Sequence, residues 1–444
     1  MKLVKHLVLF AGAGLSLIAC DSANDRKDHL KEDQNVSSSM LDDSQQTYTQ
    51  FEVTIENIGP AFSHILTEVA NTPVGKSEAG PVHPGESYEF TFKAGRGQNL
   101  SLFTMVAASN DLFISPGTAG IPLYDSEGNQ RSGDLTSELR IWDAGTEHNQ
   151  PLGEGSDQPA NNSGGPEDPN TQVRIVADGS YDGLDSINSL IEVSLEAMEG
   201  QTFKVIVKAK EEGLSPLTPV LYTVHNAPHE VFAEGEAEKS NGLELLAEQG
   251  DPSELIETLK AKTGYFSPFS PGLYAVHGGS FELFEEGALA SAGLEDLAEN
   301  GSPAVYEEEV RGVANKSGVF DIPEGSSEAG VIGPGGQYKF TFLAKPGDKL
   351  SLASMLVQSN DWFVATSSAI ELFDYSGNGV KGDVTTSFGL YDAGTEVDQE
   401  LGLGNDQAPR QLSKDGPQDE NDRVRKVDEL DVSRYLKVSI NATP

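Results

Sequence analysis

Hydrophobic and polar residues alternate with a period of two along much of this chain, as they do in β-strands that bury one face. The alternation is clear in residues 51–56 and 88–92, and residues 190–195 repeat it. Residues 100–106 are more continuously apolar, which is typical of a strand buried on both faces. Clusters of glycine and proline separate these segments. The pattern therefore predicts an all-β sandwich.

The second half of the chain repeats the first. Residues 84–113 and 334–363 align without a gap, and about half of the aligned positions are identical. Both copies contain Asn-Asp-x-Phe and, further on, Asp-Ala-Gly-Thr-Glu. A repeat at this distance predicts two copies of one domain, since a solenoid would show a much shorter period. The strand pattern places the first domain at residues 51–199 and the second at 200–444.

The predicted second domain contains a further doubled unit. Residues 215–225 resemble 267–277, and 242–249 resemble 293–300. Each unit indicates an apolar strand that ends in a histidine, His225 or His277, followed by a loop and a short helix. The rest of a metal or catalytic site does not accompany these histidines, so we expect each to cap its strand by a hydrogen bond. The second domain is therefore predicted to carry short helical insertions.

The charge of the chain is strongly acidic. Its 444 residues include 70 Asp and Glu against 30 Lys and Arg, a net charge of −40. Because acidic side chains repel nucleic-acid phosphates, we expect no nucleic-acid partner. The same excess attracts divalent cations, although it also serves simply to keep a secreted surface soluble.

The first fifty residues predict targeting and attachment. A basic start is followed by an apolar stretch at 7–18 that is too short to span a bilayer, and then by Leu-Ile-Ala-Cys ending at Cys20. We interpret 1–20 as a lipoprotein signal peptide, with lipid on Cys20, the only cysteine; an ordinary signal peptide with an incidental cysteine is the alternative. Residues 21–50 are polar enough to be a disordered tether. The expected location is the cell envelope, anchored to a membrane through the lipid.

The two repeated motifs, Asn-Asp-x-Phe and Asp-Ala-Gly-Thr-Glu, resemble the N-terminal domain of the spondins, a family of animal matrix proteins and bacterial envelope proteins. The resemblance covers roughly residues 51–198 as a shortened copy and 203–442 as a fuller one. It implies a C2-like β-sandwich. The predicted fold is thus mainly β, with two C2-like antiparallel β-sandwich domains in tandem.

Acidic residues in these motifs are the candidate site. Asp361 follows a strand predicted to be buried, Asp392 opens a glycine-containing turn, and Glu396 lies four residues further on. If the two strand ends are neighbours, the carboxylates converge, and calcium would relieve their repulsion. The alternative is that they only cap turns by accepting backbone N–H bonds.

The resemblance implies calcium as the cofactor, because the corresponding family positions bind it. Both copies have glutamate where the family has aspartate at the last position. The candidate metal ligands in the two copies are Asp361, Asp392 and Glu396, and Asp111, Asp143 and Glu147.

These features favour a non-catalytic, calcium-stabilised module for adhesion or for binding a protein or carbohydrate ligand. We expect no catalytic residues, since the known metalloprotease and nucleophile-elbow motifs do not occur. Two alternatives are a hydrolase of envelope polymers with paired carboxylates as acid and base, and a purely structural envelope protein. The hydrolase requires carboxylates that line an open cleft.

Overall fold

The computed structural model describes residues 47–159, 164–265, 267–413 and 416–443. The predicted signal peptide, Cys20 and nearly all of the predicted tether lie outside these residues. Among the residues that the structure describes, no helix is both long and apolar enough to cross a bilayer.

Strands dominate the described part of the chain, which also contains four α-helices between residues 243 and 311. The elements of the first part are β1 (Thr49–Asn57), β2 (His64–Ala70), β3 (Ser87–Lys93), β4 (Asn99–Met105), β5 (Leu112–Ser115), β6 (Ile121–Pro122), β7 (Gly133–Asp134), β8 (Arg140–Asp143), β9 (Arg174–Ile175), β10 (Ile191–Ala197) and β11 (Thr202–Ala209). Those of the middle are β12 (Val220–His225), α1 (Leu243–Gln249), α2 (Ser253–Lys260), β13 (Phe269–His277), α3 (Ala292–Asn300) and α4 (Ala304–Arg311). Those of the last part are β14 (Lys316–Phe320), β15 (Gln337–Ala344), β16 (Lys349–Leu356), β17 (Trp362–Thr366), β18 (Ile370–Glu371), β19 (Lys381–Asp383), β20 (Phe388–Asp392), β21 (Arg425–Lys426) and β22 (Leu436–Thr443).

The strands form two sandwiches, each with one four-stranded and one seven-stranded sheet. The first sandwich has the strand orders β3-β11-β10-β7 and β2-β12-β4-β5-β8-β9, with β6 on β4. The second has β15-β1-β22-β19 and β14-β13-β16-β17-β20-β21, with β18 on β16. The apolar sides of the two sheets share one core in each sandwich. The predicted mainly-β fold with two antiparallel sandwiches is thus confirmed.

The first strand of the chain belongs to the second sandwich. β1 lies between β15 and β22, with Phe51 opposite Phe342 on one side and Ala442 on the other. β11 takes the equivalent place in the first sandwich, where Phe203 lies opposite Phe92. This grouping differs from the division predicted at residues 199 and 200. Both strands place an apolar residue at every second position of the buried face, so their local sequence does not reveal which sheet each one joins.

Each sandwich carries one pair of helices. α1 and α2 cover the outer face of the first seven-stranded sheet, and α3 and α4 cover that of the second. The first helix of each pair ends at a glycine in the left-handed conformation, Gly250 or Gly301, and the second follows a proline. The doubled strand-helix unit is therefore shared between the sandwiches and is not an insertion in the second alone. The first sandwich is itself inserted between β1 and β13 of the second.

A loop of the second sandwich docks on the first. Residues 400–410 lie against the turn between β3 and β4, and both belong to one compact unit that begins at Thr47. Three of the hydrogen bonds of this contact join Arg96 N to Asn405 Oδ1 (2.8 Å), Gln98 Nε2 to the Gly402 carbonyl (3.0 Å) and Gln201 Nε2 to the Leu403 carbonyl (2.8 Å).

The docking surface is particular to the first sandwich. A Cβ at Gly95 would lie 2.2 Å from the Leu403 carbonyl oxygen, so glycine is required for the approach. The repeat places Lys345 and Pro346 at the positions of Gly95 and Arg96. The second sandwich therefore lacks both the space and the donor on which the contact depends.

Three histidines lie together in the first sandwich. The ring centroids of His64 and His225 are 5.9 Å apart, and those of His225 and His229 are 5.7 Å apart. His225 fulfils the expected capping role through a 2.7 Å contact between its Nδ1 and the Ala227 carbonyl. Burial, helped by the neighbouring charges, lowers the pKa of His64 to about 4 and that of His229 to about 3. The folded sandwich thus holds these imidazoles neutral.

We expect the first sandwich to be sensitive to acid. A histidine with a lowered folded-state pKa contributes stability above its ordinary pKa of 6.5, and this contribution is lost as the pH falls below that value. At pH 5 the loss from His229 is about 2 kcal/mol. His229→Phe, which installs the residue found at the equivalent position Phe281, should reduce the loss. Thermal melts of both proteins at pH 7 and pH 5 measure it; equal losses would contradict the assignment.

Candidate metal centre

Asp361 is held in place by the turn that contains the second motif. Its Oδ2 accepts the backbone N–H groups of Thr395 (2.7 Å) and Glu396 (3.1 Å) and the Thr395 hydroxyl (3.1 Å). The residue is fully buried, and its Oδ1 has no hydrogen-bond partner among the described residues. An unpaired buried carboxylate oxygen is costly unless a proton or a cation satisfies it.

Asp392 lies beside this aspartate because β17 and β20 are paired, with Trp362 opposite Asp392. Its Oδ1 accepts the Gly394 N–H at 2.6 Å, and its Oδ2 forms an ion pair with Arg425. Gly394 has a φ of 71° and its Cβ position would lie 2.6 Å from the backbone of Arg423. Glycine is thus needed for the turn that presents Asp392.

A third carboxylate completes the group. Asp361, Asp392 and Asp398 each have one carboxylate oxygen in this group, and these three oxygens lie within 4.8 Å of one another. Asp398 is exposed, and the motifs did not identify it; the signal available in the sequence was an acidic residue six positions after Asp392. Arg425 also contacts Asp419 (2.8 Å) and Asp398 (3.5 Å). Arg425 therefore pairs with Asp392, Asp398 and Asp419, so that one guanidinium is shared among three carboxylates.

The side chain of Glu396 points away from this group. Its Oε1 accepts the Gly416 N–H at 2.5 Å, and its Oε2 lies 3.4 Å from the Asn360 side-chain amide. The structure therefore brings together Asp361 and Asp392 of the three predicted ligands. Glu396 contributes its backbone N–H to Asp361 and uses its carboxylate to hold the loop at residue 416.

The carboxylates raise one another's pKa. Burial is the main cause for both Asp361 and Asp392, and hydrogen bonds from the turn oppose it. Burial and repulsion from Asp361 and Asp398 raise the pKa of Asp392 to about 8, even though Arg425 acts in the other direction. Near neutral pH, the carboxylates of Asp361, Asp392 and Asp398 therefore share a proton when no metal ion is bound, and a cation can take the place of that proton.

The helix that covers the sheet adds a further acid. Glu299, in the last turn of α3, forms a side-chain hydrogen bond with Thr395. Burial and the nearby Glu396 raise its pKa to about 7. Glu248 of α1 has the same relation to Thr146 in the first sandwich. No sequence motif predicts that Glu299 and Glu248 lie beside these turns, because it is the packing of the helices on the sheets that places them next to Thr395 and Thr146.

The first sandwich repeats the arrangement. Asp111 Oδ2 accepts the N–H groups of Thr146 (2.8 Å) and Glu147 (3.1 Å), and its Oδ1 is again buried without a partner in the described part of the chain. Asp143 accepts the Gly145 N–H at 2.8 Å and pairs with Arg174. The carboxylate of Glu147 accepts the Gly165 N–H at 2.7 Å, as its counterpart does at residue 416.

One position distinguishes the two copies. Asn149 stands where the second copy has Asp398, and it donates from Nδ2 to Asp143 Oδ2 at 2.5 Å. Its Oδ1 is buried and has no partner among the described residues, like Asp111 Oδ1. Burial and the charge of Asp143 raise the pKa of Asp111 to about 7. The first site thus offers an amide oxygen in place of a carboxylate and carries one negative charge fewer.

Comparison with known proteins identifies part of the chain. A search of curated proteins gave no match. The family model described as Spondin_N matches residues 262–400. This segment contains β13, α3, α4, the strands from β14 to β20, and the residues Asp361, Asp392, Glu396 and Asp398. The segment at residues 262–400, with the helix-covered sheet and the acidic turn, is thus similar to the spondin N-terminal domain family.

Proposed function

We propose that this protein is a non-catalytic recognition module of the cell envelope, and that calcium stiffens its acidic turns. The family of residues 262–400 suggests an extracellular, adhesion-type role. The single observation that carries the metal proposal is Asp361 Oδ1, a fully buried carboxylate oxygen to which no described residue donates a hydrogen bond, in a group with Asp392 and Asp398. Asp111 Oδ1 repeats it in the first sandwich.

Calcium fits the donor set better than other common ions do. The available side-chain donors are carboxylate and amide oxygens, which calcium accepts in flexible numbers and geometry. Magnesium requires a small octahedral shell and gives up its water reluctantly. Zinc and copper favour imidazole and thiolate ligands, which the group of Asp361, Asp392 and Asp398 does not supply.

Burial of the aspartates supports a binding role over hydrolysis. Asp361 and Asp392 are at most 1% exposed, and Asp361 is tied to the turn by three hydrogen bonds. An acid–base pair must reach a glycosidic bond and, in an inverting enzyme, leave room for a water. Two carboxylates enclosed by their own turn are better placed to bind an ion beneath a loop than to reach a glycosidic bond.

The remaining parts of the proposal rest on the sequence. The predicted signal peptide at 1–20 and Cys20 support attachment to a membrane through lipid, with the sandwiches displayed in the envelope. The expected ligand is a protein or a carbohydrate. The acidic surface argues against nucleic acid as a partner.

Calorimetric titration of EDTA-treated full-length chain with calcium tests the proposal. We expect two sites, the tighter one at Asp361 because it has three carboxylates where the first copy has two and an amide. Asp398→Asn should weaken that site to resemble the first. Asp428→Asn is the control, because Asp428 is 82% exposed and pairs with Lys426, away from the group of Asp361. The absence of saturable binding would refute the metal site.

A further inference from the structure

A second feature of the second sandwich lies outside the acidic turns. A cleft of about 720 Å³ opens between the loop that follows β13 and the loop between β17 and β18. Its floor includes Ser351 of β16 and Tyr391 of β20, on the sheet face that α3 and α4 cover further along. A volume of this size is within the range of small-molecule sites.

At the equivalent position of the first sandwich, the two corresponding loops contact each other. There the loop after β12 bonds directly to the loop after β5, through His229 N–H to the Thr118 carbonyl at 2.9 Å. The His229 ring packs against Phe232 and Phe103 and fills the space. The two copies share their strands, so the cleft is a separate feature of the second sandwich and not a general consequence of the fold.

The floor of the cleft contains a tyrosine. Tyr391 is 2% exposed and lines the cleft, and its hydroxyl forms no hydrogen bond with the described residues. Its counterpart Trp142 does find a partner, since its indole N–H donates to the Ser115 carbonyl at 3.0 Å. A tyrosine hydroxyl at the base of an open cleft, without a partner among the described residues, is available to a bound ligand.

The walls combine aromatic rings with negative charge. Phe281 and Phe284 are half-buried and line the cleft. Three glutamates and one lysine also line it, which gives a formal charge of −2. Lys349 pairs with Glu371 at 2.7 Å, whereas Glu282 and Glu286 form no ion pair within the described residues. Aromatic faces beside free carboxylates attract organic cations and repel anions.

We propose that this cleft binds a small alkylamine through its ammonium group. The free carboxylates of Glu282 and Glu286 accept its N–H groups and balance its charge. The rings of Phe281 and Phe284 cover its methylenes and add cation–π attraction. The Tyr391 hydroxyl takes a second polar group at the far end of the ligand. The site is independent of the calcium proposal, because it shares no residue with the group of Asp361, Asp392 and Asp398.

Calorimetric titration of the full-length chain with cadaverine tests this inference, with pentanediol as the uncharged ligand of similar length. We expect saturable binding of one cadaverine, and at least about tenfold weaker binding of the diol. Glu282→Gln combined with Glu286→Gln should weaken cadaverine binding about tenfold or more. Tyr391→Phe removes the hydroxyl but keeps the ring, and it should weaken cadaverine binding. Phe281→His, which installs the residue that the first sandwich has at this position, should also weaken cadaverine binding.

The matched control removes the same charge elsewhere. Glu230 and Glu234 occupy the equivalent positions of the first sandwich and are exposed, so Glu230→Gln combined with Glu234→Gln should leave cadaverine binding unchanged. Equal affinity for the diol, or equal weakening in the two double variants, would overturn the proposal. Binding that millimolar calcium abolishes would place the amine at the acidic turns, and it too would overturn the proposal.

Discussion

A fragment of residues 61–264 is expected to fold and melt cooperatively, whereas a fragment of residues 47–198 is expected to remain unfolded. The shorter fragment contains β1, whose partners β15 and β22 are absent from it. It lacks β11, the strand between β3 and β10, and β12, the strand between β2 and β4.

The expected loss of stability in the 47–198 fragment follows from the side chains that β11 contributes to the core. Phe203, Val205 and Val207 are fully buried in the core of the first sandwich. Burying each such side chain contributes roughly 1.5–3 kcal/mol, so these three alone approach the 5–15 kcal/mol that typically stabilises a whole domain. Circular dichroism and thermal melting of the two fragments measure the result. A cooperative melt of the 47–198 fragment would contradict the strand order.

Single substitutions in the full chain provide a matched pair for this prediction. Phe51→Ala should destabilise the second sandwich by about 3–5 kcal/mol, although it lies next to the first sandwich in the sequence. Phe203→Ala should do the same to the first sandwich, because both rings are fully buried at equivalent positions. Amide hydrogen exchange, measured separately for the strands of each sandwich, distinguishes the two variants. Increased exchange of the first sandwich in Phe51→Ala would contradict the assignment.

Calcium is expected to raise the melting temperature by several degrees. An ion that binds only the folded state stabilises it by about 2.7 kcal/mol at a hundredfold excess over Kd. For a domain of 150–250 residues this corresponds to roughly 5–10 °C. Asp361→Asn with Asp392→Asn should remove the response of the second sandwich and leave that of the first. Asp111→Asn with Asp143→Asn is the reciprocal variant. Equal melting temperatures in EDTA and calcium would show that these carboxylates only cap turns.

The pH dependence supplies an independent part of the same prediction. The folded-state pKa of Asp392 is raised from 3.8 to about 8, so its contribution to stability is present below pH 3.8 and is lost as the pH rises through 8. Without calcium, the second sandwich should therefore lose stability from this group between pH 5 and pH 8. Calcium should remove the loss, because it replaces the proton. Melts of the double variant Asp361→Asn with Asp392→Asn should show little of this dependence.

Local sequence was sufficient for much of the fold. The period-two alternation identified residues 51–56 and 88–92 as strands, and both are strands in the structure. The duplication of Asn-Asp-x-Phe indicated two copies of one domain, and two sandwiches of the same strand order are present. These predictions succeeded because burial of one face dictates the alternation wherever the strand lies.

The local sequence did not show which neighbouring strands each of these strands pairs with. Residues 51–55 and 203–207 carry the same pattern, and only the register against β15 and β22, or against β3 and β10, separates them. The candidate site shows the same limit. The motifs identified Asp361 and Asp392, which the pairing of β17 and β20 brings together, but they gave no reason to expect Asp398 or Glu299.

The sequence by itself determined the strands, the duplication and the two aspartates of each acidic turn, because each depends on residues that are close along the chain. The tertiary structure alone decided the insertion of one sandwich into the other, the direction of the Glu396 side chain and the open cleft at Tyr391. These features depend on contacts between distant segments. Such contacts are set by register and packing over the whole core, which no local pattern encodes.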